Sequence, residues 1–200
     1  MVKKEWLKAL SRSDEASIRS YQEQDHDFSF EAESFENGHF SSIRLEKINF
    51  SNTEWEACIL DGVEFIDCDL SGALFNATTL HGVVFEACEL NDTSFDGCVM
   101  QRSQLRSIQA TQGLELVNSQ LKECRFEALS FDESVLKSIT FTNGCICEVS
   151  GEAEISGVVL RSVELRDFDT SKMQVSRSTA SGMKIVPAGF VACEGKRQRV

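Results

Sequence analysis

The sequence predicts a solenoid, and three observations predict it. Between Cys58 and Met100 a large apolar residue stands at every fifth place: Leu60, Phe65, Leu70, Phe75, Leu80, Phe85, Leu90, Phe95 and Met100. Two residues before each comes a small or β-branched one: Cys58, Val63, Cys68, Ala73, Thr78, Val83, Cys88, Thr93 and Cys98. A period of five fits neither the 3.6 of a helix nor the 2 of an ordinary strand. Self-similarity at a fixed short interval marks a stacked repeat architecture, with both periodic residues facing a common core. Third, there is one proline against fourteen phenylalanines, which suits a backbone that must keep donating hydrogen bonds from coil to coil.

The words CDLSG, CELND and VEFID resemble the pentapeptide repeat family, whose repeat is written A(D/N)LXX, and the likeness runs from about residue 28 to 193. The resemblance implies an all-β fold, a right-handed quadrilateral β-helix with four pentapeptides per coil. About eight such coils, at the roughly 4.8 Å spacing of neighbouring strands, make a rod on the order of 40 Å long. Three parts are expected: an N-terminal helical cap over residues 1–25, the β-helix over 26–193, and a basic flexible tail over 194–200.

The first residues do not follow the five-residue interval. Trp6, Leu7 and Leu10 form one helical stripe, and Ile18 with Tyr21 forms another. Ser11 or Ser13, followed by Asp14 and Glu15, supplies an N-cap and an acidic first turn. Short helices here would cover the apolar rim of the first coil, as solenoid ends require. Alternatively, Trp6 and Leu10 would be presented to a partner. From Phe30 the frame is regular through Phe35, Phe40, Leu45, Phe50 and Trp55. One extra residue enters at TQGLE, where Gly113 would ease a bulge, and one is lost near CEVSGEAEI. Beyond Leu165 the pattern weakens, because Thr170 and Ala180 stand where large residues belong. Phe190 and Val191 would plug the far end of the column.

Eight cysteines in 200 residues would suggest disulfides in a small secreted domain. Six of them, Cys58, Cys68, Cys88, Cys98, Cys124 and Cys193, fall on the inward small position, where a thiol acts as a compact hydrophobe. A twenty-residue coil would stack Cys68 on Cys88 at a spacing compatible with a disulfide. Cys145 and Cys147 leave that register as a C-x-C. The beginning of the chain lacks the apolar run of a signal peptide, and no stretch is long enough to span a membrane. A cytoplasmic location is the expectation.

Charge is uneven. The formal net charge is −12, and from Ile48 to Gln101 there is no lysine or arginine. Wrapping at four pentapeptides per coil puts Glu64, Asp67, Asp69, Glu86, Glu89 and Asp92 on two adjacent faces, with Glu64 near Glu86 and Asp69 near Glu89. Such a surface serves solubility or a basic partner. Some pentapeptide repeat proteins act as duplex-DNA mimics that bind type II topoisomerases, so the resemblance implies DNA gyrase or topoisomerase IV as one partner. Departures stand against it: no apolar C-terminal dimerisation stripe, and a helical start unusual for those proteins.

Catalysis is not expected. His26, His39 and His81 sit on different repeats with no nucleophile in a motif beside them, and His81 takes an outward, solvated place. A metal at Cys145 and Cys147 would need two further ligands that no motif supplies, so neither a metal nor another cofactor is expected. The acidic rod would repel phosphates, which argues against direct nucleic-acid binding. The leading expectation is a non-catalytic protein-protein interaction scaffold, monomeric or a weak homodimer, of which bacterial secretion-system accessories and effectors are one instance. A redox-responsive role for Cys145 and Cys147 ranks last.

Overall fold

The computed structural model describes residues 8–10, 12, 17, 20, 29–108, 112–168 and 171–186. Short strands, mostly three residues long, stack in parallel into three eight-stranded sheets. Wall one runs from Ser34–Glu36 to Gln174–Ser176, wall two from His39–Ser41 to Thr179–Ser181, and wall three from Arg44–Glu46 to Lys184–Val186. The fourth side is joined by the bridges Ser29 to Asn49, Asn49 to Asp69 and Asp69 to Glu89. The chain is thus an all-β, four-sided β-helix.

The five-residue interval explains each side. In a strand such as Glu54–Glu56 the central residue is buried and its two neighbours are exposed. The next residue adopts a left-handed backbone, as Ala57 does at φ 51° and Ala77 at φ 50°. That residue turns the corner, and the small residue after it faces inward again. A left-handed alanine costs about 1–2 kcal/mol. Hydrogen bonds between coils hold it there: Ala57 N donates to Asn76 O and Ala77 N to Asp96 O, each at 2.9 Å. The corner leading into wall one is tighter. Ala73 N donates to Leu70 O at 2.9 Å and Gly72 takes φ 70°, the pattern of a type II turn.

Aromatic rings fill the column in ladders. On wall one Phe35 stacks on Trp55 at 4.2 Å, Trp55 on Phe75 at 5.7 Å and Phe75 on Phe95 at 4.7 Å. On wall three Phe65 stacks on Phe85 at 5.1 Å. Rings of the opposite walls one and three meet edge to face across the column, Phe75 against Phe85 at 6.1 Å. Both geometries are favoured by the ring quadrupole.

Both predicted frame slips are present. Wall one pairs Ser94 with Leu74 but also with Glu115, a step of 21 instead of 20. Ser134 pairs with Ala153, a step of 19. The lost residue tightens the corner at Gly151, where φ is 114° and a Cβ would come within 2.7 Å of Asp132 N.

At the N-terminal end residues 8–10, 17 and 20 are helical. Leu10 is only 1% exposed and belongs to the core cluster with Ala9. Trp6 and the tail over 194–200 lie outside the described residues, as do Phe190 and Cys193. In the last coil Val175 and Ile185, though at core positions, are 60% and 73% exposed. The fading of the pattern beyond Leu165 is matched by loss of burial.

Candidate interaction surfaces

With the large and small repeat residues turned inward, chemistry is left to the strand flanks and corners. The six acidic residues singled out from the sequence lie on wall three, on the fourth side and at the corners at either edge of the fourth side, Asp92 at the corner leading into wall one, but not as a uniform patch. Glu64 is aligned with Arg44 and Val84, and the Arg44 guanidinium reaches its Oε2 at 3.0 Å. Glu86 is aligned with Ile66 and Arg106, and Arg106 Nη2 reaches its Oε2 at 3.0 Å. The expectation that Glu64 lies near Glu86 is therefore corrected. A step of twenty carries residue 64 to 84, and Glu86 occupies the other flank of its strand.

Asp69 does stack beside Glu89 through a parallel bridge. Its Oδ1 accepts the Ser71 N–H at 2.9 Å, as Asn49 Oδ1 accepts that of Ser51 at 2.8 Å one coil earlier. Asp69 thus holds its own turn, an Asx arrangement. Asp67 and Asp92 stand at corners with φ 54° and 53°. Among the described residues no cation lies within ion-pair distance of Asp67, Asp69, Glu89 or Asp92.

Wall one carries an acidic strip that sequence reasoning did not single out. Glu36 and Glu56 are directly aligned and exposed. Glu54, Asp96 and Glu115 continue on the same wall, and its first lysine or arginine is Lys137. Glu54 accepts from Ser34 Oγ at 3.2 Å and Asp96 from Asn118 Nδ2 at 3.0 Å. The signal was available, since all five flank large repeat residues that fall on one wall.

Wall two is different. One flank column reads His39, Ile59, Thr79, Val99, Gln120, Thr140, Val159 and Thr179 in register, without a carboxylate, lysine or arginine. Ile59 and Val99 are 44% and 45% exposed. In the other column His81 Nδ1 lies 2.7 Å from Asp61 Oδ1, so this histidine has a partner rather than solvent alone. His26 lies outside the described residues.

The cap residues divide. Leu10 is buried, which removes it as a docking residue and fits it for covering the column; Trp6 lies outside the described residues. The cysteines divide too. Cys58, Cys68, Cys88, Cys98 and Cys124 are buried free thiols. Burial pushes Cys98 up to about 12 and Cys124 up to about 11, and the Cys68 thiol, hydrogen-bonded to Cys88 and buried, lies well above its ordinary range. Cys145 and Cys147 are joined to each other as a disulfide. Among the described residues no group of three or more His, Cys, Asp or Glu side chains is arranged to hold a metal ion, and no helix is long and apolar enough to cross a membrane.

A family model described as a pentapeptide repeat region matches residues 38–113 and 58–136. No curated protein matches the chain. Among solved structures, full-length QnrB1, a plasmid-mediated fluoroquinolone resistance protein, is similar at 15% identity, covering 78% of this chain and 92% of its own with a TM-score of 0.42. The pentapeptide repeat protein Rfr23 from the cyanobacterium Cyanothece 51142 is similar at 8% identity, covering 86% of this chain and 99% of its own, TM-score 0.34. HetL from Nostoc sp. strain PCC 7120, a pentapeptide repeat protein involved in heterocyst differentiation regulation, is similar at 14% identity, covering 84% of this chain and 92% of its own, TM-score 0.23.

Proposed function

Because this chain belongs to the pentapeptide repeat family, we propose that it is a non-catalytic scaffold that docks a partner protein on its outer walls. The uncharged column of wall two carries this reading. Exposed Ile59 and Val99 sit on one sheet with Thr79 between them, and from Ile59 onward the column has no charge to desolvate. Depletion of charge at the centre of a patch is what distinguishes an interface core. The Ile59→Lys, Val99→Lys double variant tests it in a cross-linking pull-down from the native host. Loss of a partner held by the unaltered chain, with an unchanged circular dichroism spectrum, supports the reading, and identical partner sets defeat it. A secretion-system accessory or effector would be one instance. Removing residues 1–24 asks whether the start of the chain recruits anything or only keeps the rod soluble.

A second reading is a DNA mimic that occupies the DNA-binding groove of DNA gyrase or topoisomerase IV. Asp67, Asp69, Glu89 and Asp92 favour it, standing together without ion pairs among the described residues. Glu64 and Glu86 weaken it, since Arg44 and Arg106 neutralise them. Purified protein should then inhibit supercoiling at micromolar levels, and the Asp67→Asn, Glu89→Gln variant should lose that effect. No inhibition at any concentration removes this reading.

A further inference from the structure

We propose that Cys145 and Cys147 form a reversible dithiol/disulfide site on the outside of wall three, exchanging with low-molecular-weight thiols and disulfides of the glutathione class. They flank the inward Ile146 on the strand Cys145–Ser150. Their Cα atoms are 6.2 Å apart and the disulfide spans a single residue, within the Cα range that disulfides use.

Three observations separate this pair from the other described cysteines. The first is position: those five are free and belong to the inward core cluster, whereas Cys145 is half-buried and Cys147, though buried, stands outside that cluster. The second is the size of the ring. A disulfide restrains the unfolded chain more as the closed loop lengthens, and a bond two residues along one strand ties no coil to another. As a structural staple it does little, so its use lies in chemistry. The third is the setting. Cys145 is aligned with Arg125 above and Glu164 below, and Cys147 with Glu127 above and Arg166 below. Arg125 pairs with Glu127 at 2.8 Å, and Arg166 pairs with Glu164. Each cysteine thus has one arginine and one glutamate in the adjacent strands, a charged outward setting unlike the apolar column that holds the other five, and the thiolate is the nucleophile in exchange.

The difference in exposure sets the order. The Cys145 thiolate attacks one sulfur of the small disulfide, that S–S bond breaks, and the first small thiol leaves with a proton. The Cys147 thiolate then attacks Cys145 Sγ in the mixed disulfide and expels the second small thiol. Two electrons and two protons pass from the cysteine pair to the small disulfide, which becomes two thiols, and the protein gains the Cys145–Cys147 bond. Excess small thiol reverses both steps.

The test equilibrates the full chain in graded mixtures of reduced and oxidised glutathione, traps thiols by alkylation and reads the products by mass spectrometry. A single two-electron transition confined to the peptide carrying Cys145 and Cys147, reversed by reduced glutathione, is expected. The Cys147→Ser variant should hold one glutathione on Cys145, and the Cys145→Ser variant at least tenfold less on Cys147. The proposal is overturned if the pair stays reduced in fully oxidised glutathione, if the bond resists excess reduced glutathione, or if the adduct forms first at Cys147. The titration of the unaltered chain decides the matter even if a serine variant fails to fold.

Discussion

Thr78 Oγ1 donates a 2.8 Å hydrogen bond to the carbonyl oxygen of Trp55, the central residue of a strand one coil earlier. Cys98 Sγ makes the same contact with Phe75 O at 3.3 Å, and Ser119 Oγ with Phe95 O at 3.1 Å. The inward small position is therefore more than a gap for a compact side chain. Where it carries a hydroxyl or thiol, it fastens each coil to the one before.

Cys98→Ser should accordingly be tolerated within about 1 kcal/mol, because a hydroxyl fills the same role at Ser119, while Cys98→Val should cost about 1 kcal/mol more through the lost donor. Valine itself fits such sites, as Val63 and Val83 show, so the difference isolates the hydrogen bond. Urea unfolding of both variants measures it.

Phe75→Ala should destabilise by roughly 3–5 kcal/mol. The ring is 1% exposed and packed between Trp55 and Phe95, so its removal leaves a cavity that the rigid coils cannot close. Changing the outward Asn76 to serine should stay within about 0.5 kcal/mol. Equal effects at the two positions, again by urea unfolding, would contradict the inward ladder.

Two glycines should respond differently to alanine. At Gly82 the nearest atom to an added Cβ is 4.0 Å away, so only the left-handed backbone matters, about 1–2 kcal/mol. At Gly151 the added Cβ would meet Asp132 N at 2.7 Å and Phe131 N at 2.8 Å, with φ at 114°. Gly151→Ala should therefore lower the melting temperature well beyond Gly82→Ala.

The buried thiols predict alkaline sensitivity. An unfolded thiol ionises near about 8.5, whereas folding holds Cys98 at about 12 and Cys124 at about 11. Above the lower value the unfolded state has released protons that the folded state retains, so stability falls as pH rises. The contribution is complete below about pH 8.5 and is lost as pH climbs through the folded values. Melting temperatures should drop across that window, and less steeply for the Cys98→Ser, Cys124→Ser variant.

The column is legible in the sequence, down to the residue added near Gly113 and the one removed at Gly151, because each slip displaces the large residues from their interval. The surface was legible only in outline. Asp69 beside Glu89 follows from a step of twenty, but Glu64 beside Glu86 does not, since the two sit on opposite strand flanks. The acidic strip of Glu36, Glu54 and Glu56 is only partly marked by the span lacking lysine and arginine, because Glu54 and Glu56 lie inside it and Glu36 outside, and it is the pairing of the two strands that aligns them.

What the chain's own order determined is which side chains enter the column, since facing in or out is a local matter of five successive backbone conformations. A step of twenty brings outer residues alongside one another, but only the wound structure decided which of those neighbours bond. Arg44 reaches Glu64, His81 reaches Asp61 and Leu10 joins the core through contacts between residues far apart along the chain. Those pairings depend on how each coil is set upon the last, because electrostatic and packing energies act over a few ångströms of space, whatever the separation in sequence.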